Sequence, residues 1–217
     1  MAIQYKAQTG SFYASGSAIN TVVPILSDVP AGDYLIATFR TGGGIVPSSI
    51  TDTKGNTWTI VVSSTSLTVT NSFVYSCFVT SALTTADTVT LVHATVANRM
   101  GLILQFCGLL LPSAEQTNSN ITSTATSTFG TNATSALSNS SDLVIISLAT
   151  SIAVTAIAAT GFTVFSQSVG AIGYKILSND NTAQSGTWTW TTNSGNTGAT
   201  ISTYKPDQRG MALLGVG

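Results

Sequence analysis

The chain has 217 residues, of which 43% are hydrophobic and only 7% are charged, and its net charge is −1. Because an average globular protein has about 25% charged residues, this surface must consist largely of Ser, Thr and Asn. Disorder requires low hydrophobicity with high net charge, and nucleic-acid or membrane-surface binding requires a basic patch, so the composition argues against all three.

The chain carries no targeting or membrane signal that we can identify. Residues 1–6 contain no basic segment followed by an apolar run, so we expect no secretory signal. The longest apolar stretch, residues 100–111, is interrupted by Gln105 and is far shorter than the roughly 20 residues of a spanning helix. We therefore expect a soluble protein that is made in the cytoplasm.

Short strands are predicted along the whole chain. Thr, Val, Ile and aromatic residues alternate with period two between clusters of Gly, Asn, Asp and Ser, which is typical of antiparallel strands. The first half has predicted strands at residues 9–16, 21–26, 33–40, 49–51, 57–63, 72–80, 88–95 and 99–107. The second half has predicted strands at residues 121–129, 142–150, 161–168, 171–177, 185–192 and 198–205.

Many short strands at regular spacing favour a sandwich or jelly roll. We therefore predict an all-β, jelly-roll-like antiparallel β-sandwich with two pseudo-repeated halves. The run Gly32-Asp33-Tyr34-Leu35-Ile36-Ala37 resembles Ser141-Asp142-Leu143-Val144-Ile145-Ile146, and the run Leu102-Ile103-Leu104-Gln105-Phe106 resembles Thr200-Ile201-Ser202-Thr203-Tyr204. The repeat is about 100 residues long.

The halves cover about residues 7–111 and 114–206. We favour one domain over residues 1–217, and two small sandwiches in tandem are the alternative. Between the halves, Ile121, Ala125 and Phe129 are evenly spaced in the segment 112–141. This spacing favours an edge strand with loops over a flexible linker.

Few residues are suited to catalysis or metal binding. Glu115 is the only Glu, and Asp28, Asp33, Asp52 and Asp180 lie at expected turns, where Asp usually caps its own backbone. We expect no enzyme, no metal and no cofactor.

His93 is the only histidine and lies in a predicted strand. Sequence order does not exclude a catalytic triad, but no GxSxG motif is present, so we expect a structural or interface histidine. Residues 42–44 predict a mobile glycine loop rather than a phosphate cradle, and residues 178–182 predict a turn rather than a Ca²⁺ site.

Cys77 and Cys107 each lie in a strand-like run with no neighbouring ligand set. Free cysteines are among the most buried residues, so two reduced core thiols are expected rather than a disulfide or metal pair.

Trp188 and Trp190 alternate with Thr and therefore point to the same face of one strand, with Trp58 as a counterpart in the first half. An exposed pair would suit stacking on a sugar ring or anchoring a partner, whereas a buried pair would fill the core. We favour the core and keep a partner or glycan contact as the alternative. The apolar tail, residues 205–217, is expected to pack on its own domain or on a neighbour.

Two runs carry a family resemblance: Val29-Pro30-Ala31-Gly32-Asp33-Tyr34-Leu35-Ile36-Ala37 and Ile50-Thr51-Asp52-Thr53-Lys54-Gly55-Asn56-Thr57-Trp58-Thr59. They resemble a β-sandwich module of tailed-bacteriophage structural proteins and bacterial surface proteins. Gly-Asp leads into a buried strand, and Asp-Thr-Lys-Gly-Asn is expected to close a hairpin. The resemblance brings no catalytic residues with it.

The resemblance implies a virion protein, most plausibly a capsid decoration (cement) protein on the capsid surface. Its expected partners are the major capsid protein lattice and copies of itself, as a homotrimer. Low charge is consistent with this role, because the centres of large interfaces are depleted of charge. A tail or fibre component and a carbohydrate-binding adhesin are the alternatives, and a hydrolase on the same scaffold is a third class.

Overall fold

The computed structural model describes residues 2–65, 70–110 and 113–207. Within these ranges the chain forms 16 strands in four antiparallel sheets and no helix, which confirms the predicted all-β sandwich. In particular, the described ranges hold no helix whose length and hydropathy would let it cross a membrane.

The first half contains eight strands in two sheets. The five-stranded sheet has the order β1-β8-β3-β6-β5, and the three-stranded sheet has the order β2-β7-β4. The strands are β1 Gln4–Ala14, β2 Ala18–Pro24, β3 Tyr34–Gly42, β4 Ser49–Asp52, β5 Trp58–Thr65, β6 Thr70–Phe78, β7 Thr88–Val96 and β8 Arg99–Cys107.

The second half repeats this arrangement. Its sheets have the orders β9-β16-β11-β14-β13 and β10-β15-β12, which are the first-half orders with eight added to every number. The strands are β9 Gln116–Thr122, β10 Thr126–Gly130, β11 Leu143–Thr150, β12 Ala158–Ala159, β13 Thr163–Gln167, β14 Gly170–Ile176, β15 Thr187–Ser194 and β16 Thr197–Tyr204.

Each half pairs its first strand with its eighth and its second with its seventh, as a jelly roll does, but its fifth strand lies beside the sixth and not beside the fourth. The register confirms the repeat: Phe106 lies opposite Tyr34, and Tyr204 lies opposite Leu143 at the corresponding place. The two predicted matching runs therefore occupy equivalent positions.

Four sheets form four layers with three apolar cores between them. The first core lies between the two sheets of the first half and includes Leu35, Phe39 and Leu91. The central core joins the two five-stranded sheets, with Ile36 and Leu102 from one half and Ile145 from the other. The third core lies inside the second half.

This layering explains two kinds of strand sequence. The middle strands β3, β8 and β11 are buried on both faces and carry long apolar runs, whereas the equally buried β16 is rich in Ser and Thr, whose hydroxyls bond to neighbouring groups. The outer strand β15 alternates between exposed and buried side chains over residues 187–191, because one of its faces meets solvent.

The second-half strand predictions need two corrections. The strand predicted at residues 121–129 is two strands, β9 and β10, which belong to different sheets. The two-residue strand β12 was not predicted, since two alanines give no periodic signal.

Polar side chains also connect the halves across the central core. The hydroxyls of Ser72 and Ser147 lie 2.7 Å apart, and Ser147 lies 2.6 Å from the Thr200 hydroxyl. The buried Arg40 guanidinium donates to the carbonyl oxygens of Thr150 and Ser151 at 3.2 and 3.4 Å. These bonds satisfy polar groups that solvent cannot reach.

Candidate functional site

The outer sides of the two three-stranded sheets are free of charged side chains. We call them the first outer face (β2, β7, β4) and the second outer face (β10, β15, β12). The six strands contain only two ionisable side chains, Asp52 and His93, and both are buried. The faces are made of hydroxyl, amide and small apolar groups.

Threonine is the commonest residue on these faces. On the second outer face, Thr187, Thr189 and Thr191 are exposed at alternate positions of β15, and Thr128 and Ala158 pair with Thr189 from either side. The first outer face consists of Asn20, Val22, Pro24, Ser49, Thr51, Thr88, Thr90 and Val92.

The tryptophans Trp188 and Trp190 lie on the inner side of β15. Trp188 is fully buried, Trp190 is 5% exposed, and both pack in the third core with Ile146 and Leu148. Solvent reaches neither ring face, so both fill the core. Trp58 is half-buried and lies on β5, so the prediction that it is their first-half counterpart is wrong: β7, not β5, is the strand equivalent to β15.

His93 is held by local hydrogen bonds. One ring nitrogen lies 2.9 Å from the Thr21 hydroxyl and the other 2.8 Å from the Ala94 carbonyl oxygen. Burial lowers its pKa, and the nearby Arg99 cation lowers it further. With both nitrogens engaged, the ring stabilises the β2–β7 pair.

Two of the four aspartates predicted at turns cap their own backbone, whereas Asp28 accepts from the backbone amide of Thr85 and Asp33 from the Gln105 side chain. Asp52 accepts hydrogen bonds from the backbone amides of Lys54 and Asn56, and Asp180 accepts from the Thr182 amide and hydroxyl. Among the described residues, no three His, Cys, Asp or Glu side chains are close enough to share a metal ion.

Asp142 and Glu115 form an acid pair that the sequence did not reveal. Asp142 is fully buried beside Glu115, and Glu115 Oε1 lies 3.4 Å from the Lys205 ammonium; apart from each other, the Asp142 carboxyl and Glu115 Oε2 have no hydrogen-bond partner among the described residues. Burial raises the pKa of Asp142 to about 8, and the adjacent Glu115 raises it as well. Although burial opposes it, hydrogen bonds from Asp142 and Ser138, with the Lys205 charge, hold the pKa of Glu115 at about 2. At neutral pH the pair therefore shares one proton.

In the first half, the aspartate at the equivalent position has a different partner. Asp33 corresponds to Asp142, and its carboxylate accepts a hydrogen bond from the Gln105 amide at 2.6 Å. In the second half the residue equivalent to Gln105 is Thr203, which is too short to supply that amide. The repeated motif around Asp33 and Asp142 can be recognised in the sequence. Only the strand register shows that Thr203 stands in the second half where Gln105 stands in the first.

No family model, curated protein or solved structure matches this chain. The resemblance to virion modules stays a prediction. Its motif residues do lie at turns: Gly32 precedes β3 with φ 97°, and Gly55 follows β4 with φ 74°, conformations that favour glycine.

The turn at residues 52–56 differs from the expected hairpin. It connects β4 in the three-stranded sheet to β5 in the five-stranded sheet, so the two strands are not paired with each other. The predicted tail, residues 205–217, is described only as far as Asp207, and residues 208–217 lie outside the described residues. Pro206 forms a bridge with Leu109.

The cysteines lie apart from any site. Cys77 is buried in the first core, Cys107 is half-exposed at the end of β8, and both are free thiols. Burial raises the pKa of Cys77 to about 12, with a smaller contribution from the Asp52 charge, so its thiol stays protonated and unreactive.

Proposed function

We propose that this protein is a non-enzymatic structural protein of a virus particle, a capsid decoration protein that packs through its two outer faces. The observation that carries the proposal is the absence of charged side chains from both of these faces in the described structure. Interface centres are depleted of charge because a charge buried without a partner is costly.

The position of the faces supports repeated packing. They lie on opposite sides of the four-layer stack, so one subunit presents two separate contact surfaces. A flat strand surface with short side chains loses little side-chain entropy on contact, since Thr and Ser have few rotamers to fix. Polar hydroxyls also keep the free subunit in solution.

The size of the faces favours a lattice over a free dimer. The first outer face has strands of 7, 9 and 4 residues and the second has strands of 5, 8 and 2, so at about 3.3 Å per residue and about 4.8 Å between strands they cover about 300 and about 240 Å². A stable interface buries about 800 Å² on each partner, so one outer face supplies about a third of this. We therefore propose that the protein binds as a symmetric homotrimer on a capsid, where several small contacts act together.

The test combines oligomeric state with particle binding. Light scattering after size exclusion is expected to show a weak trimer that forms only as concentration rises, and the protein is expected to sediment with empty capsids. Thr51→Lys and Thr189→Lys place one charge on each outer face and are expected to weaken both readouts. Thr163→Lys, on the exposed edge strand β13, is the matched control. A strict monomer that never sediments with capsids would overturn the proposal.

A further inference from the structure

A groove lies beside the first outer face, where the two sheets of the first half differ in width. The five-stranded sheet extends past the three-stranded one, so the edge strand β5 is only partly covered next to β4, while β6 beside it is buried up to its last residue. Residues 47–50 form one wall, and Trp58, Ile60 and Tyr75 form the other. Its volume, about 400 Å³, is within the usual range for small-ligand sites.

The indole of Trp58 is fixed in place at this groove. Its Nε1–H donates to Asp52 Oδ2 at 2.8 Å, and Asp52 is itself held by the backbone amides of the 52–56 turn. The carboxylate is therefore occupied, and none of the described residues that line the groove is charged. A side chain fixed before binding loses little entropy when a ligand stacks on it.

Hydroxyl groups lie beside the apolar surface. Ser48, Ser49 and Tyr75 line the groove, and Ser48 donates to the Val92 carbonyl oxygen at 3.2 Å. Burial raises the pKa of Tyr75 to about 12, so its phenol stays protonated and can donate. The groove thus combines an aromatic and aliphatic wall with neutral hydrogen-bonding groups.

The second half does not repeat this chemistry at the equivalent positions. Phe162 corresponds to Trp58, but the Lys175 ammonium lies over its ring at 4.9 Å. Gly173 corresponds to Tyr75, and added bulk there would meet Ile146 and Trp188 at 3.1 and 3.2 Å. The neutral aromatic groove is therefore a property of first-half residues and not of the jelly-roll topology.

We infer that the groove binds a neutral saccharide. A pyranose ring has an apolar C–H face and a rim of hydroxyls. The C–H face can pack on Trp58 and Ile60, and the hydroxyls can form hydrogen bonds with Tyr75 and Ser49. A charged sugar or a charged peptide would find no countercharge here. This inference does not rest on the proposed packing role: the groove shares Ser49 with the first outer face, but Trp58, Ile60 and Tyr75 belong to the five-stranded sheet.

The test begins with an array of neutral mono- to tetrasaccharides probed with the labelled full chain. Any saccharide that binds is then titrated while tryptophan emission is followed, because Trp58 is the half-buried tryptophan and the other two are buried. We expect saturable binding with a shift in emission. Trp58→Phe should remove the shift.

Two variants locate the site without disturbing the core. Ile60 is 52% exposed, and Ile60→Glu is expected to weaken binding at least tenfold by placing a charge in the groove. Tyr75→Phe is expected to weaken it about twofold to tenfold, the range for one hydrogen bond. Ile121→Glu, at a 48% exposed isoleucine on β9, is the matched control and should bind as the unmodified protein does.

Three outcomes would overturn the inference: no neutral saccharide binds, Ile60→Glu binds as well as the unmodified chain, or Ile121→Glu loses binding equally. Binding of charged glycans or apolar peptides in place of neutral sugars would overturn it too. Oligomeric state and capsid binding are read separately, so failure of the packing proposal is distinguishable from failure here.

Discussion

Replacing the buried acid of the Asp142–Glu115 pair should change how stability depends on pH. The unfolded carboxyl of Asp142 ionises with an ordinary pKa near 3.8, whereas its folded pKa is about 8. The raised pKa of Asp142 therefore makes its full contribution to the free energy of unfolding below about pH 4, and this contribution is lost as the pH rises towards 8. Over this range the folded chain binds one proton more than the unfolded chain, so unfolding becomes easier as pH rises.

The window from pH 6.5 to 8 isolates this effect. The buried His93, whose pKa is lowered, reduces stability only below about pH 6.5, and Cys77 contributes only above the ordinary thiol range near pH 8.5. Each pH unit is worth about 1.4 kcal/mol for one proton, so the unmodified protein should lose up to about 2 kcal/mol in this window.

Asp142→Asn should remove most of that loss. The amide of Asn still donates to Glu115 but binds no proton. Asp33→Asn is the matched control, because Asp33 is the equivalent residue of the first half and has an amide partner. Urea unfolding followed by circular dichroism at pH 6.5, 7.25 and 8 measures the three proteins. A flat profile for the unmodified protein, or equal slopes for the two variants, would refute the reasoning.

Three further predictions concern the core and the thiols. Arg40→Met should lower the free energy of unfolding by about 3 kcal/mol in urea titrations, since buried carbonyls lose their donor; an unchanged midpoint would contradict this. Gly101→Ala should cost about 1–3 kcal/mol because a methyl group there would collide with the packed core, whereas Gly16→Ala, with no atom within 4 Å, should be nearly neutral in the same assay. Ellman's reagent should modify one thiol per native chain, and Cys107→Ser should abolish that reaction; rapid labelling of Cys77 would show that the first core opens.

The first-half strands were predictable because their signals are local. Period-two alternation or a continuous apolar run, bounded by turn residues, marks all eight of them, including the short β4. In the second half, β12 contains only Ala158 and Ala159, and pairing with β15 is what makes it a strand. Its existence is therefore a tertiary effect that no sequence window contains.

The arrangement of the layers was only partly predictable. The continuous apolar runs in β3, β8 and β11 indicate burial on both faces, but they do not say which sheet covers the second face. Likewise, low charge predicted a hydroxyl surface, and the strand register placed it on the two outer faces. The acid pair depends on Glu115 meeting Asp142 across 27 positions of sequence, which spacing alone does not indicate.

The shared central core limits how this protein can change over time. Side chains such as Ile36 and Ile145 belong to different halves yet fill one space, so a larger residue in one half needs a smaller one opposite. Exchange of a whole half between diverged relatives would bring together two inner surfaces that no longer match. The two outer faces meet solvent and are free of that constraint. New binding specificities can therefore arise there by substitution while the central core stays unchanged.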